Sequence, residues 1–288
     1  MVIALALASA LLFAVASVLQ HHSARAEEAP PMRLAFLMSL ATRPLWLAGI
    51  VADGLGYVAQ FVALGRGSLV VVQPLLVSGL LFALPVGAAM AHKRLSRQDW
   101  VGAAAVVVGL STFLVVAQPA PGRTSASGLA WVVVAAATCV PAALMVLMAG
   151  QGASPRRAIL LAAATGTLYG FAAALTKTTA HLLAQGVVPL LASWQPYVLV
   201  ACGVIGLVVG QSAFAAGSLS ASLPTLSAVD PVVSVLIGAF GFDESLRTAG
   251  ADPLLEVLGL ALTLVGVVVL ARSPLVTGER DPNEPSSA

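Results

Sequence analysis

Apolar residues fall along this chain in nine blocks of roughly twenty, parted by short polar stretches. The blocks are Val2–Leu19, Leu45–Leu64, Leu69–Ala91, Trp100–Val116, Gly128–Gly150, Ala158–Thr176, Tyr197–Ala216, Ser222–Phe240 and Leu254–Ala271. Each reads as a helix able to cross the hydrocarbon core of a bilayer, and the sixth can run on toward His181. Two further apolar pieces, Met32–Ala41 and Gly186–Gln195, are too short to cross. The first of them reads as a helix lying on the membrane surface. A rival reading of the first block is a signal peptide, because Ala24-Arg25-Ala26 resembles a cleavage site. No positive charge precedes that block and it exceeds the usual apolar core of a leader. It is therefore expected to stay in the protein, and survival of Met1–Ala26 through purification tests this.

The blocks repeat. At a constant offset of 150, Gly67, Ser68, Leu69, Pro74, Leu76 and Ala89 meet Gly217, Ser218, Leu219, Pro224, Leu226 and Ala239. At an offset of 156, Leu12, Phe13, Ala16 and Leu19 meet Leu168, Tyr169, Ala172 and Leu175. Gly102 and Gly109 have the spacing of Gly259 and Gly266. The fifth block has no counterpart. The organisation expected is a first transmembrane repeat over 1–117, a loop and linking helix over 118–150, a second repeat over 151–272, and a disordered polar tail over 273–288.

Composition agrees with this pattern. Charged residues are 9% of the chain and hydrophobic ones 59%, against about 25% charged in a soluble domain. A soluble fold is excluded; the fold class is all-α, a polytopic membrane protein. The net charge of +2 gives no reason to expect nucleic acid. Cys139 and Cys202 lie inside apolar blocks and read as small buried residues, without a disulfide or metal site.

Charge placement sets the topology. One side of the membrane would hold ten of the 14 Lys and Arg residues, among them Arg43, Lys93, Arg94, Arg156, Arg157 and Arg272. The other would hold three, Arg66, Arg123 and Arg247, with Lys177 at or inside a span. The positive-inside rule then places the N-terminus outside and the C-terminus in the cytoplasm of an inner-membrane protein. Nine crossings send the third span inward and the eighth outward, so two four-helix repeats are inverted around a linking helix. Secondary transporters are commonly built this way, with the site near the midplane.

The chemistry concentrates in a few polar residues inside the spans. Asp230 sits before Pro231 near the middle of the eighth block. A carboxylate there costs roughly 2.5–3.5 kcal/mol on insertion scales and normally faces a protein interior or watery cavity. Pro231 also frees the carbonyl one turn earlier. Asp230 reads either as a substrate, cation or proton site or as a structural acid satisfied by Ser227 or a neighbouring helix. Asp53 reads as a second pathway acid, or as one hydrated from the cytoplasm or bonded to another helix. Lys177, at the end of the sixth block, either snorkels to the interface or supplies a counter-charge in the pathway. Its repeat partner is His21, which would put the two at opposite mouths of one pathway. Gln60, Gln73 and Gln211 either touch ligand or tie helices together. The Gly166/Gly170 and Gly206/Gly210 pairs read as close helix packing. No enzyme signature occurs: there is no HExxH, Walker or CxxC pattern, and adjacent His21 and His22 point apart on a helix. No enzyme activity and no cofactor are expected.

Asp230-Pro231-Val232-Val233, the turn acids Asp243-Glu244, and Gly259 and Gly266 resemble the drug/metabolite transporter superfamily with its EamA-type repeats. The first repeat departs from that pattern, with Lys93-Arg94 in place of the turn acid. Within the superfamily, Leu45–Pro74 is similar to the NIPA-type magnesium transporters through Trp46, Ala48-Gly49, Gly54, Gly56, Phe61 and Pro74. Those proteins carry an acid where Tyr57 stands and an asparagine where Gln60 stands. Magnesium favours carboxylate oxygens, so Asp53 would have to replace the missing acid. The resemblance implies a secondary transporter of a small metabolite or cation, with Asp53, Tyr57, Gln60, Gln73, Lys177, Gln211 and Asp230 along its pathway. Asp53 and Asp230 would be the cation contacts. A magnesium transporter and a non-transporting scaffold are the alternatives. The partners expected are the bilayer, a small solute or ion and a second copy of the chain.

Overall fold

The computed structural model of the chain describes residues 1–25, 42–91, 94–117, 122–152, 154–216, 219–244 and 253–273. Met32–Ala41 and the tail beyond Ser273 lie outside these. Every regular element among the described residues is an α-helix. They are α1 (Val2–Arg25), α2 (Pro44–Arg66), α3 (Leu69–Val77), α4 (Gly79–Ala91), α5 (Arg97–Ala117), α6 (Gly128–Ala149), α7 (Pro155–Gln185), α8 (Val187–Ala192), α9 (Gln195–Ala216), α10 (Leu219–Gly241) and α11 (Pro253–Ala271). Among the described residues, nine helical segments are long and apolar enough to cross a membrane, α3 and α4 together forming one of them.

The third segment is therefore not the single unbroken helix its apolar run predicts. Pro74 removes a donor from the ladder, and the chain breaks at Ser78. The Ser78 hydroxyl donates to Leu75 O at 2.5 Å, and Leu81 N re-enters on Ser78 O at 2.9 Å. Next to the break, Gly79 presses on the backbone of Ala10: an added methyl would lie 3.0 Å from Ala10 O. The segment matched to it in sequence, α10, stays one helix despite Pro224 and Pro231.

Helix α7 is the central element. Of its most apolar window 72% is buried, against 17–44% for the other eight spans. Small residues allow this. A methyl on Gly166 would lie 2.9 Å from Val229 Cβ, and one on Gly170 would lie 2.8 Å from Val233 Cγ1, so α10 packs almost backbone to backbone. On its other side α9 closes in through Gly206, beside the Tyr169 ring, and Gly210, beside Thr165. Both glycine pairs thus serve as packing faces. At 31 residues α7 is about 46 Å long by its rise, more than a bilayer core needs.

Two packing motifs occur twice. Helices α1 and α2 meet where Gly56 sits against the ring of Phe13, and Ser9 Oγ donates to Gly56 O at 2.7 Å. Helices α7 and α9 meet where Gly206 sits against the ring of Tyr169. Phe13 and Tyr169 are the aromatic pair matched by sequence offset. The second motif is the crossing of α5 and α11. Gly109 packs on Gly259 O and Thr263 N, while Gly266 packs on Gly102 O and Val106 N. Subtracting 157 from Gly266, Gly259 and Thr263 gives positions 109, 102 and 106, so one contact set maps onto the other with the helices exchanged.

Candidate functional site

The α3 N-terminus and the turn after α10 form a polar knot. Ser68 caps α3, its hydroxyl accepting from Val71 N at 3.2 Å. The Glu244 carboxylate then takes the next two donors, Leu69 N on Oε1 and Val70 N on Oε2, each at 2.9 Å. An acid at a helix N-terminus satisfies orphan amides and meets the positive end of the dipole. Lys177 Nζ of α7 donates to Glu244 Oε1, and neither side chain reaches solvent, at 6% and 0% exposure. The ammonium also lies 4.9 Å from the centre of the Phe242 ring. Trp131 of α6 packs edge-on against Phe242 at 5.7 Å and Trp194 at 5.2 Å. Nearby, the loop before α6 is stitched to the same turn by Arg123 N to Phe242 O at 2.7 Å.

Lys177 is thus neither snorkelled nor a free charge. The helix continues to Gln185, so Lys177 is not at its end, and burial without Glu244 would be prohibitive. Glu244, seen in the sequence as a turn acid, is a linchpin that the sequence reading left out of the candidate residues. Its partners are far away along the chain, and only the fold brings them together.

A second polar region lies deeper, at the junction of the two halves. A cavity of about 250 Å³ is lined by Gln60 of α2, Gln73 of α3, and Ser227 and Asp230 of α10. Phe13, Leu76, Leu80, Leu226 and Pro231 complete its apolar walls. Three of the sequence candidates, Gln60, Gln73 and Asp230, therefore share one cavity. Ser234 Oγ, one turn along α10, donates to Asp230 Oδ1 at 3.2 Å. Ser227, one of the partners open to a purely structural acid, lines the cavity. Its carbonyl is the one that Pro231 leaves without its usual helical donor. Gln73 is 3% exposed, and its side-chain nitrogen has no hydrogen-bond partner among the described residues. A buried amide donor without a partner costs about 1–3 kcal/mol, so an acceptor reaching it from the cavity would be stabilising.

The remaining candidates lie elsewhere. Asp53 is exposed and is not among the residues lining this cavity. By helical spacing Asp53, Tyr57 and Gln60 lie on one face of α2, with Val51, Leu55 and Val58 opposite. Tyr57 is 44% exposed, and its hydroxyl lies 3.5 Å from Thr176 Oγ1 on α7. Gln211 is exposed and belongs to a separate cleft with Arg157 and Ser212 near Gly152. The structure does not bring Gln211 or Lys177 to Asp230. Among the described residues no group of three or more His, Cys, Asp or Glu side chains is placed to hold a metal ion.

The nine apolar segments among the described residues, with buried polar side chains at their junctions, make this a multi-pass helical membrane protein. The chain is 31% identical over 270 residues to an uncharacterized protein of Corynebacterium glutamicum, with 93% of each chain covered, and it belongs to the same family. No family model matches the chain, and no solved structure matches it.

Proposed function

We propose that this chain is a secondary transporter of the drug/metabolite type that moves a small solute by alternating access past Asp230. The observation that carries the reading is the convergence of Gln60, Gln73 and Asp230, drawn from both halves, on one cavity. Polar groups with spare hydrogen-bonding capacity are costly in a lipid-embedded interior unless water or a ligand uses them. A scaffold held by dry interhelical bonds has no need of such a space.

The repeated contacts support an inverted two-repeat construction. The glycine contacts of α5 and α11 map onto one another with the helices exchanged, as an internal two-fold would require, and the glycine–aromatic contact of α1 with α2 recurs between α7 and α9. In this reading the protein lies in the inner membrane with its N-terminus outside, so the Glu244 knot faces outward. The two halves rock about the cavity, and the knot holds its outer side shut.

Flux into proteoliposomes tests this. Wild-type protein should accelerate equilibration of a small solute, while Asp230→Asn, folded and reconstituted to the same density, should not. Equal flux in Asp230→Asn removes that residue from the pathway. No flux of any solute tried, together with a cavity inaccessible to water, removes the transporter reading.

A further inference from the structure

We infer that the solute held beside Asp230 is a small organic monocation that also carries a hydrogen-bond acceptor, as an amino alcohol does. This rests on the transporter reading above and adds the ligand class to it.

Charge comes first. Among the described residues lining the cavity, Asp230 is the one ionisable side chain. Lys177, the cation that the sequence places at or inside a span, is spent on Glu244 and is not among the residues lining the cavity. An anion would meet Asp230 with no counter-charge. A zwitterion would place its own carboxylate in an apolar space with no cation to pair it. A monocation leaves the occupied site neutral.

The chemistry of the walls then separates organic from metal cations. Magnesium holds its waters tightly and favours several carboxylate or phosphate oxygens in octahedral array. Here one carboxylate faces Phe13, Leu76, Leu80 and Leu226. Such walls suit the methylene or methyl groups of an organic cation, and an aromatic ring is a favourable neighbour for its charge. The Ser227 carbonyl, freed by Pro231, adds a neutral acceptor one turn from Asp230 on the same helix.

The acceptor requirement comes from Gln73. Its amide nitrogen is withdrawn from solvent and unpartnered across the cavity from α10. A ligand offering only donors would leave that group unpaired; one with a hydroxyl or carbonyl oxygen satisfies it. Volume sets the scale. The cavity, at about 250 Å³, falls below the roughly 300–1,000 Å³ of drug-sized sites, so the ligand is metabolite-sized.

Binding to the purified full-length protein in lipid nanodiscs tests this, by calorimetry and by protection of Ser227→Cys from a water-soluble thiol reagent. The probes are choline, tetramethylammonium, magnesium chloride, serine and acetate. Choline should bind saturably and protect Ser227→Cys; magnesium, serine and acetate should do neither. Asp230→Asn should weaken choline roughly a hundredfold. Gln73→Leu should weaken choline about tenfold and leave tetramethylammonium unchanged. Protection by magnesium or serine would overturn the ligand class while leaving the transporter reading in place. A choline preference over tetramethylammonium that survives Gln73→Leu would overturn the acceptor requirement. Failure of both organic cations to bind or protect would overturn the inference whole, with proteoliposome flux deciding the transporter reading separately.

Discussion

Asp230 and Glu244 belong to one helix and its following turn, and both are acids that lipid would not tolerate, yet the fold treats them oppositely. Both Glu244 oxygens are engaged, by two backbone amides of α3 and by the Lys177 ammonium. Asp230 receives one described side-chain hydrogen bond, from Ser234, and fronts a cavity. A carboxylate whose lone pairs are consumed by the protein fixes structure. One with capacity left over, beside an unpaired amide and a freed carbonyl, is available to a ligand. The same contrast separates the two ends of the molecule. At the offset that matches Leu69 with Leu219, Glu244 matches Arg94, which is exposed. An arginine cannot accept from a helix N-terminus. At the position matched to the acid that locks the start of α3, the chain therefore carries an arginine.

Breaking the engaged acid should have the largest effect on stability. Glu244→Ala strands a buried ammonium and leaves the Leu69 and Val70 amides without their acceptor, and is expected to cost about 3–5 kcal/mol, read by thermal or denaturant unfolding in detergent. Lys177→Met combined with Glu244→Gln should recover much of that loss, since neither change leaves an unpaired charge. Next comes the α5–α11 crossing. Gly109→Val drives a side chain into Thr263 N and Gly259 O, which an added Cβ would meet at 2.5 and 2.7 Å. A loss of about 1–3 kcal/mol is expected, matched by Gly266→Val at the corresponding contact with Gly102 and Val106. Unequal losses at the two glycines would blunt the two-fold description. Asp230→Asn should move stability by less than about 1 kcal/mol while abolishing solute flux, the reverse of Glu244→Ala. Smallest is Arg123→Ala. Its bridge to Asp243, 2.8 Å long, is about 60% exposed at both ends, and pairs of this kind contribute roughly 0–1 kcal/mol.

The crossings were legible because hydrophobic length is a local property, and the matched glycines because each marks a close contact between helices. The end of the sixth span, left open between Thr176 and His181, lies further on at Gln185. Thr176, Lys177, Thr178 and Thr179 are all buried, because α7 lies at the centre of the bundle. That position is a tertiary fact invisible in a hydropathy window. The hydroxyl that serves Asp230 was not legible for a related reason. Ser227 and Ser234 both lie about one turn away, and the packing on α7 and the cavity decides which hydroxyl turns to the acid. Gln73 was legible as a candidate, being polar beside a proline in an apolar run. That it lacks a partner became visible only once its neighbours were in place.

The central claim is that the space beside Asp230 is wet and continuous with one side of the membrane. Thiol accessibility reads this directly in a background lacking Cys139 and Cys202, since thiols react as thiolates in water. Ser227→Cys, on the cavity wall, should react with a membrane-impermeant reagent from the cytoplasmic side. Leu236→Cys, exposed at 50% on the flank of the same helix, should stay inert among acyl chains. An unreactive Ser227→Cys, or equal labelling at both positions, would contradict the account.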